Sequence, residues 1–277
     1  MNPYSEIIRS KQNEKVKTLI KLREKKMLRE ARGQFLIEGL KELREALGAH
    51  AKIIELYYCP NFFQNSAYTD LLQDAKNQGA TLQEVSKEIF EKIAYRENPD
   101  GLLGIGETWS HALEDLKLSK NPLLFVVETV EKPGNLGNMI RSAEAAGADA
   151  LIICEPLIDI FNPNVVRSSR GMVFNLPICT TTNENLRVFL QQNNIQIIAA
   201  TPHTDHMYWT VDMTGSTAIF VGNERNGLSD FWLKDQNTQK VKIPLNGKGD
   251  SLNAATAGVI VLYEALRQRA IASSLYG

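Results

Sequence analysis

Cysteine is scarce in this 277-residue chain: Cys59, Cys154 and Cys179 stand far apart, with no CxxC pair among them. An odd, scattered set excludes a disulfide framework and a cysteine-based zinc site, and fits reduced thiols in a cytoplasmic protein. No apolar run approaches the roughly 18 residues of a membrane span, so no membrane partner is expected. The first fifteen residues, MNPYSEIIRSKQNEK, lack the apolar core of a secretory signal. One sign of charge does not dominate either. The formal net charge is −1, which on its own calls for no polyanionic partner.

What is present points to a folded, soluble α/β protein. Hydrophobic residues make up 43% of the chain and charged residues 23%, enough for a sizeable core. The charge is unevenly placed. Residues 1–32 carry ten Lys or Arg against four Glu, a local net of +6 that leaves −7 for the rest. A basic segment on an otherwise acidic chain suits a phosphate-contacting arm. A solvated amphipathic helix explains it equally well, because Val16, Leu19, Ile20 and Met27 recur at helical spacing.

Hydrophobic periodicity divides the chain into two α/β parts. The first, residues 1–108, reads as a helix over 10–31, a strand at 35–38, a helix over 39–47, a strand at 53–59 and a helix over 71–79. A strand at 81–86, a helix over 87–94 and a final strand at 101–107 complete it. A polar linker covers 109–122. The second part, 123–277, has five apolar, β-rich runs without alternation: LLFVVE (123–128), ALIIC (150–154), QIIAAT (196–201), TAIFVG (217–222) and KVKIP (240–244). Such runs belong to parallel strands covered on both faces. Helices are predicted between them over 135–146, 183–193 and 251–269. Sheets of this kind bind ligands beyond the carboxyl ends of their strands.

Three loops at those ends are rich in Gly and Asn: EKPGNLGNMIR (131–141), VGNERNGLSD (221–230) and PLNGKGDSLN (244–253). The familiar nucleotide fingerprints are missing from them. Gly134 and Gly137 do not complete GxGxxG, so an ordinary βα turn is favoured over a dinucleotide site. Lys248 is followed by Gly249 where a P-loop needs Ser or Thr. His203 and His206 lack further ligands in a metal pattern, and no metal is expected. No GxSxG element is present. What remains is Asn135 with Arg141 in the first loop, Glu224 in the second and Asn253 in the third, which together suggest a composed site. An arginine close to a glycine loop can grip a phosphate bidentately.

Taken in order, the loops resemble the three motifs of the SpoU/TrmH family of RNA 2′-O-ribose methyltransferases, in the SPOUT superfamily. NLGNMIRSAEAAG (135–147) carries Asn135, Arg141 and Gly147. FVGNERNGLSD (220–230) carries Gly222, Glu224, Gly227 and Leu228. IPLNGKGDSLNAATAGVIVLYEA (243–265) carries Ile243, Pro244, Gly247, Ser251, Leu252 and Asn253. NPNVVRSSRGMVFNLP (162–177) is similar to the family's link between its first two motifs. KVKTLIKLREKKMLREARGQFLIEGLKELREAL (15–47) resembles its accessory RNA-binding domain, of the ribosomal-protein L30e type. The third motif often reads Ser-Leu-Asn-Val-Ser, whereas here Ala254 and Ala255 follow Asn253.

The resemblance implies an L30e-like RNA-binding domain (1–108) and a SPOUT α/β domain (123–277) with a parallel sheet and a deep trefoil knot. It implies a homodimer acting on RNA, rRNA of the 23S type first and tRNA as the alternative, or a catalytically inactive RNA-binding protein of the same fold. S-adenosylmethionine is the implied methyl donor, held at Thr201, Gly222, Ile243, Ser251 and Leu252. Asn135, Arg141, Glu224 and Asn253 are the implied catalytic set. The family assigns the general-base role to the arginine matching Arg141, while phosphate holding and hydroxyl orientation suit an always-protonated guanidinium as well. Lys15, Lys17, Lys21, Arg23, Arg167 and Ser169 are the implied RNA contacts.

Overall fold

The computed structural model describes residues 6–223, 225–247 and 252–272. The chain divides into two compact units. The first comprises residues 1–109 together with Asp159–Asn175, and the second comprises 110–158 and 176–277. The return of 159–175 to the first unit is not visible in the linear pattern, which places that stretch within the second part.

In the first unit a four-stranded sheet has the order β1-β4-β2-β3, from β1 (Gln34–Glu38), β2 (Ile53–Tyr58), β3 (Thr81–Glu84) and β4 (Leu102–Glu107). β4 runs antiparallel to both β1 and β2, and β3 is parallel to β2. The expected single basic helix is two helices, α1 (Glu14–Glu24) and α2 (Lys26–Arg32), broken where Lys25 takes extended angles. Arg29 occupies the break. Its Nη1 donates to the Leu22 carbonyl at 2.7 Å, and its Nε pairs with Asp159 at 2.7 Å with both side chains buried. The α1 stripe Val16, Leu19 and Leu22 is fully buried, as the helical spacing of apolar residues requires. Helices α3 (Leu40–Gly48), α4 (Ala67–Asn77), α5 (Lys87–Ile93) and the short α7 (Pro163–Ser168) complete this unit.

The second unit is a six-stranded sheet of order β10-β8-β9-β5-β6-β7, parallel throughout. Its strands are β5 (Leu123–Glu128), β6 (Ala150–Cys154), β7 (Ile178–Thr181), β8 (Gln196–Ala200), β9 (Thr217–Val221) and β10 (Thr238–Val241). Four of the five apolar runs are strands, the fifth, KVKIP, contributes only Lys240 and Val241 to β10, and the parallel α/β expectation holds. β5, β6 and β9 are buried at every position. β7 escaped the sequence reading because it is a short edge strand, ICTT, with two half-exposed threonines and no apolar run. Helices α6 (Pro133–Ala145), α8 (Asn183–Gln192), α9 (Asp230–Leu233) and α10 (Ala254–Ala272) cover the sheet.

α10 begins at Ala254, three residues later than predicted. Asn253 is its cap: Oδ1 accepts from the Ala255 amide at 2.9 Å, an N-cap bond that satisfies one of the helix's open donors. The small residues of this helix serve close packing. A Cβ on Gly258 would lie 2.3 Å from Phe125 Cζ and 3.2 Å from Val221 Cγ1, so only glycine lets α10 sit on β5 and β9. At the other end, Arg269 donates to the carbonyls of Asn121, Pro122, Met213 and Gly215, at 2.6–3.1 Å, and fixes the helix to the loops that enter β5 and β9. No helix among the described residues is long and apolar enough to cross a membrane.

Candidate active site

At the carboxyl ends of β8, β9 and β10 lies a cavity of about 220 Å³. Thr201 follows β8, Gly222 follows β9, Ile243 follows β10, and Leu252, Ala254 and Ala257 form the wall contributed by the start of α10. The structure therefore brings together four of the five residues expected to hold the methyl donor. Ser251, the fifth, lies outside the described residues, as does Glu224 of the catalytic set. The wall mixes apolar side chains such as Val221, Leu228 and Ile243 with loop backbone. Such a wall suits a flat ring flanked by polar groups.

The loop after β9 is held in a fixed shape by its own backbone. Asn223 and Gly227 exchange amide-to-carbonyl hydrogen bonds at 3.0 and 2.9 Å. Asn223 Oδ1 accepts from the amides of Arg225 and Asn226 at 2.8 and 3.2 Å, and its Nδ2 donates to the Thr129 carbonyl at 2.9 Å. This is an Asx turn tied to the end of β5. Gly222 sits under the turn. A Cβ there would come within 2.1 Å of the Gly227 carbonyl carbon, so this wall of the cavity admits no side chain.

A buried polar cluster anchors the same loop from behind. Glu128, 1% exposed at the end of β5, accepts from the Ser229 amide and hydroxyl and from Asn183 Nδ2. Asn183 Oδ1 in turn accepts from Trp232 Nε1 at 2.7 Å. Every member has a partner, which is what makes burial of a carboxylate tolerable. Sequence reasoning missed Glu128, Asn183, Asn223 and Ser229. The Asn-x-x-x-Gly turn was a usable signal for Asn223. Glu128 reads only as the last letter of an apolar run.

Asn135 and Arg141 stand on α6, Asn135 in the first turn and half-buried, Arg141 exposed. α6 packs against α10, but neither residue lines the cavity. Arg141 has no hydrogen-bond or ion-pair partner among the described residues, so its guanidinium is available to an incoming anion. Asn253 is exposed, and its side chain is occupied as the α10 cap.

The expected RNA contacts fall into two groups. Lys15 pairs with Glu55 at 3.2 Å and Lys17 with Glu14 at 2.7 Å, while Lys21 is exposed. Arg23 is turned onto the carbonyls of Lys92, Ile93 and Ala94 at the end of α5. Arg167 is exposed. Ser169, expected at the RNA surface, is instead fully buried, and its hydroxyl donates to the Val166 carbonyl at 2.9 Å.

Comparison with known proteins decides the lineage. The profile of the SpoU rRNA Methylase family matches residues 122–263. The chain belongs to that family. A second profile, the MRM3-like substrate binding domain, matches residues 13–104. A 23S rRNA (uridine(2479)-2′-O)-methyltransferase of Streptomyces viridochromogenes is 30% identical, over 86% of this chain and 84% of its own length. A 23S rRNA (guanosine(2553)-2′-O)-methyltransferase of Bacillus subtilis is 29% identical, over 92% and 97%. The crystal structure of an AdoMet-bound rRNA methyltransferase from Sinorhizobium meliloti superposes with a TM-score of 0.85 at 30% identity, covering 95% of this chain and 97% of that one.

Proposed function

We propose that this SpoU-family protein transfers a methyl group from S-adenosylmethionine to a ribose 2′-hydroxyl of large-subunit rRNA. The observation that carries the proposal is the cavity at the ends of β8, β9 and β10, where Thr201, Gly222, Ile243 and Leu252 converge. Its residues fit the donor: the bare backbone at Gly222 and the apolar side chains of Val221, Leu228 and Ile243 line the cavity beside polar loop backbone. Ser251 is assigned to the same site from the third motif. Bound there, S-adenosylmethionine supplies a methyl group activated by its sulfonium.

The protein's own task is alignment and charge. Arg141 is exposed, and we assign its two-pronged guanidinium to hold the phosphate next to the target ribose and to orient the 2′-oxygen. Asn135 and Glu224 are assigned to orient that arginine and the loops around it, and Asn253 to fix the start of α10. The 2′-hydroxyl itself separates RNA from DNA as substrate. The curated relatives, which carry 23S rRNA 2′-O-methyltransferase names, support rRNA as the substrate.

Residues 1–108 are assigned to RNA binding, 109–122 to the linker and 123–277 to transfer, with Lys15, Lys17, Lys21, Arg23 and Arg167 as basic residues of the RNA-binding side. A trefoil knot and a homodimer complete the proposal. Tyr263 (46% exposed) and Ile271 (65% exposed) on the outer side of α10 support an interface there. The three cysteines are free and buried, which supports a reducing, cytoplasmic setting. Incubation with labelled S-adenosylmethionine and unmodified rRNA tests the proposal. A labelled 2′-O-methyl nucleoside is expected, and label confined to a base would overturn the ribose assignment.

A further inference from the structure

A second cleft, of about 610 Å³, lies wholly within the first unit. Lys41 and Arg44 reach it from α3, Arg96 from the loop after α5, and Arg167 and Arg170 from the returning segment Asp159–Asn175. Three carboxylates also line it, and among the described residues none is paired with Lys41, Arg44, Arg167 or Arg170. Glu42 is buried and paired with Arg96 at 2.7 Å. Asp100 accepts from the Leu40 amide at 2.8 Å, capping α3. Glu45 accepts from Asn175 Nδ2 at 3.0 Å. Lys41, Arg44 and Arg170 are exposed and have no hydrogen-bond or ion-pair partner among the described residues.

Arg167 is held in place without being neutralised. Asn164 Oδ1 accepts from its Nε and Nη2, at 3.3 and 2.9 Å, and its guanidinium lies 5.8 Å from the ring centre of Tyr95. Tyr95 is 43% exposed. Its backbone amide and that of Arg96 donate to the carboxylate of Glu38, which fixes the ring's position. The approach of the two basic segments depends on Gly171. It has a φ of +84°, and a Cβ there would lie 2.8 Å from Glu45 Cβ. The residue before it, Arg170, adopts a φ of +54°, a costly conformation for a side-chain-bearing residue.

We propose that this cleft grips the sugar–phosphate backbone of a single-stranded RNA segment, with Tyr95 as a stacking face for one base. Four cations without acidic partners in one concavity form a polyanion site. An exposed ring braced by an arginine adds the contact that unpaired bases make. The cleft joins residues from the region matching the substrate-binding profile to residues from the region matching the methylase profile. In identifying the ligand as substrate RNA, it rests on the function proposed above.

The test uses the full chain and its R44A/R170A variant, binding unmodified large-subunit rRNA transcript between 50 and 200 mM KCl. Loss of two phosphate contacts should weaken binding at least about tenfold and lower the log–log salt slope by roughly 1.5. R44K/R170K should restore the slope, and S-adenosylmethionine affinity should be unchanged in both. Y95A should weaken binding of a single-stranded oligonucleotide more than that of a duplex. Unaltered affinity and slope in R44A/R170A would overturn the inference while leaving the transfer reaction intact. A wild-type chain that binds rRNA through these residues yet transfers no methyl group would overturn the function and leave the cleft.

Discussion

Ser229 donates two hydrogen bonds to one buried carboxylate, that of Glu128, from its amide at 2.7 Å and its hydroxyl at 2.6 Å. The contact ties the end of the β9 loop to the end of β5, directly behind the cavity wall. Glu128→Ala leaves these two donors and Asn183 Nδ2 without their acceptor in the interior. A destabilisation of about 2–4 kcal/mol is expected in urea unfolding, because each buried donor left open costs on the order of 1–3 kcal/mol and the carboxylate's own burial is relieved. Calorimetry should show weaker S-adenosylmethionine binding under conditions where the variant remains folded. Wild-type stability and affinity would show that the cluster does not support the loop.

Gly222→Ala tests the cavity wall. Its Cβ would meet backbone, not a flexible side chain, at 2.1 Å, so the Asn223 turn must move. Donor affinity should fall at least about tenfold, equivalent to 1.4 kcal/mol or more, while the circular dichroism of the sheet is retained. Gly215→Ala is the control, since its Cβ meets nothing within 4 Å. Equal affinities for the two variants would rule out the assigned role of Gly222.

The thiols give a pH dependence. Burial, reinforced by Asp115 and Glu114, pushes Cys179 up to about 11 from an ordinary 9.0, and burial raises Cys154 as well. The folded chain holds these protons where the unfolded chain releases them. Their contribution to stability is complete below pH 9 and is lost as pH rises towards 11 and beyond. The urea midpoint should therefore fall between pH 8.5 and 10.5, and fall less in Cys179→Ala. At pH 8 no thiol should react with a disulfide reagent before unfolding; rapid labelling of the native chain would contradict the burial.

Arg141→Ala should abolish transfer with no change in unfolding midpoint, because the side chain is exposed and spends no bond on the fold. Arg141→Lys should recover only part of the rate, since a point charge replaces a two-pronged donor. Measuring both under single-turnover conditions separates positioning from binding. Undiminished turnover in Arg141→Ala would remove it from the mechanism.

The sheet of the second unit was legible because buried parallel strands are uninterrupted apolar words, and LLFVVE and TAIFV are among the plainest. Gly222, Ile243 and Leu252 were legible as positions of the second and third motifs and Thr201 as the end of a strand run, and the four line one cavity. The break at Lys25 was not, because it is set by Arg29 bonding across sequence to Leu22 and Asp159. Nor was the burial of Ser169. A serine between two arginines reads as surface, yet α7 turns it inward and gives its hydroxyl a local carbonyl. Glu128 was hidden for the opposite reason: its partners lie 55 and 101 residues away, and no local pattern announces them.

The most direct measurement is label transfer from methyl-labelled S-adenosylmethionine to unmodified large-subunit rRNA and, separately, to unmodified tRNA, each then digested to nucleosides. Label is expected in a single 2′-O-methyl nucleoside from the rRNA and none from the tRNA. A 2′-O-methyl nucleoside from tRNA alone would contradict the substrate, label on a base would contradict the ribose chemistry, and a chain that binds the donor but labels neither pool would contradict the reaction.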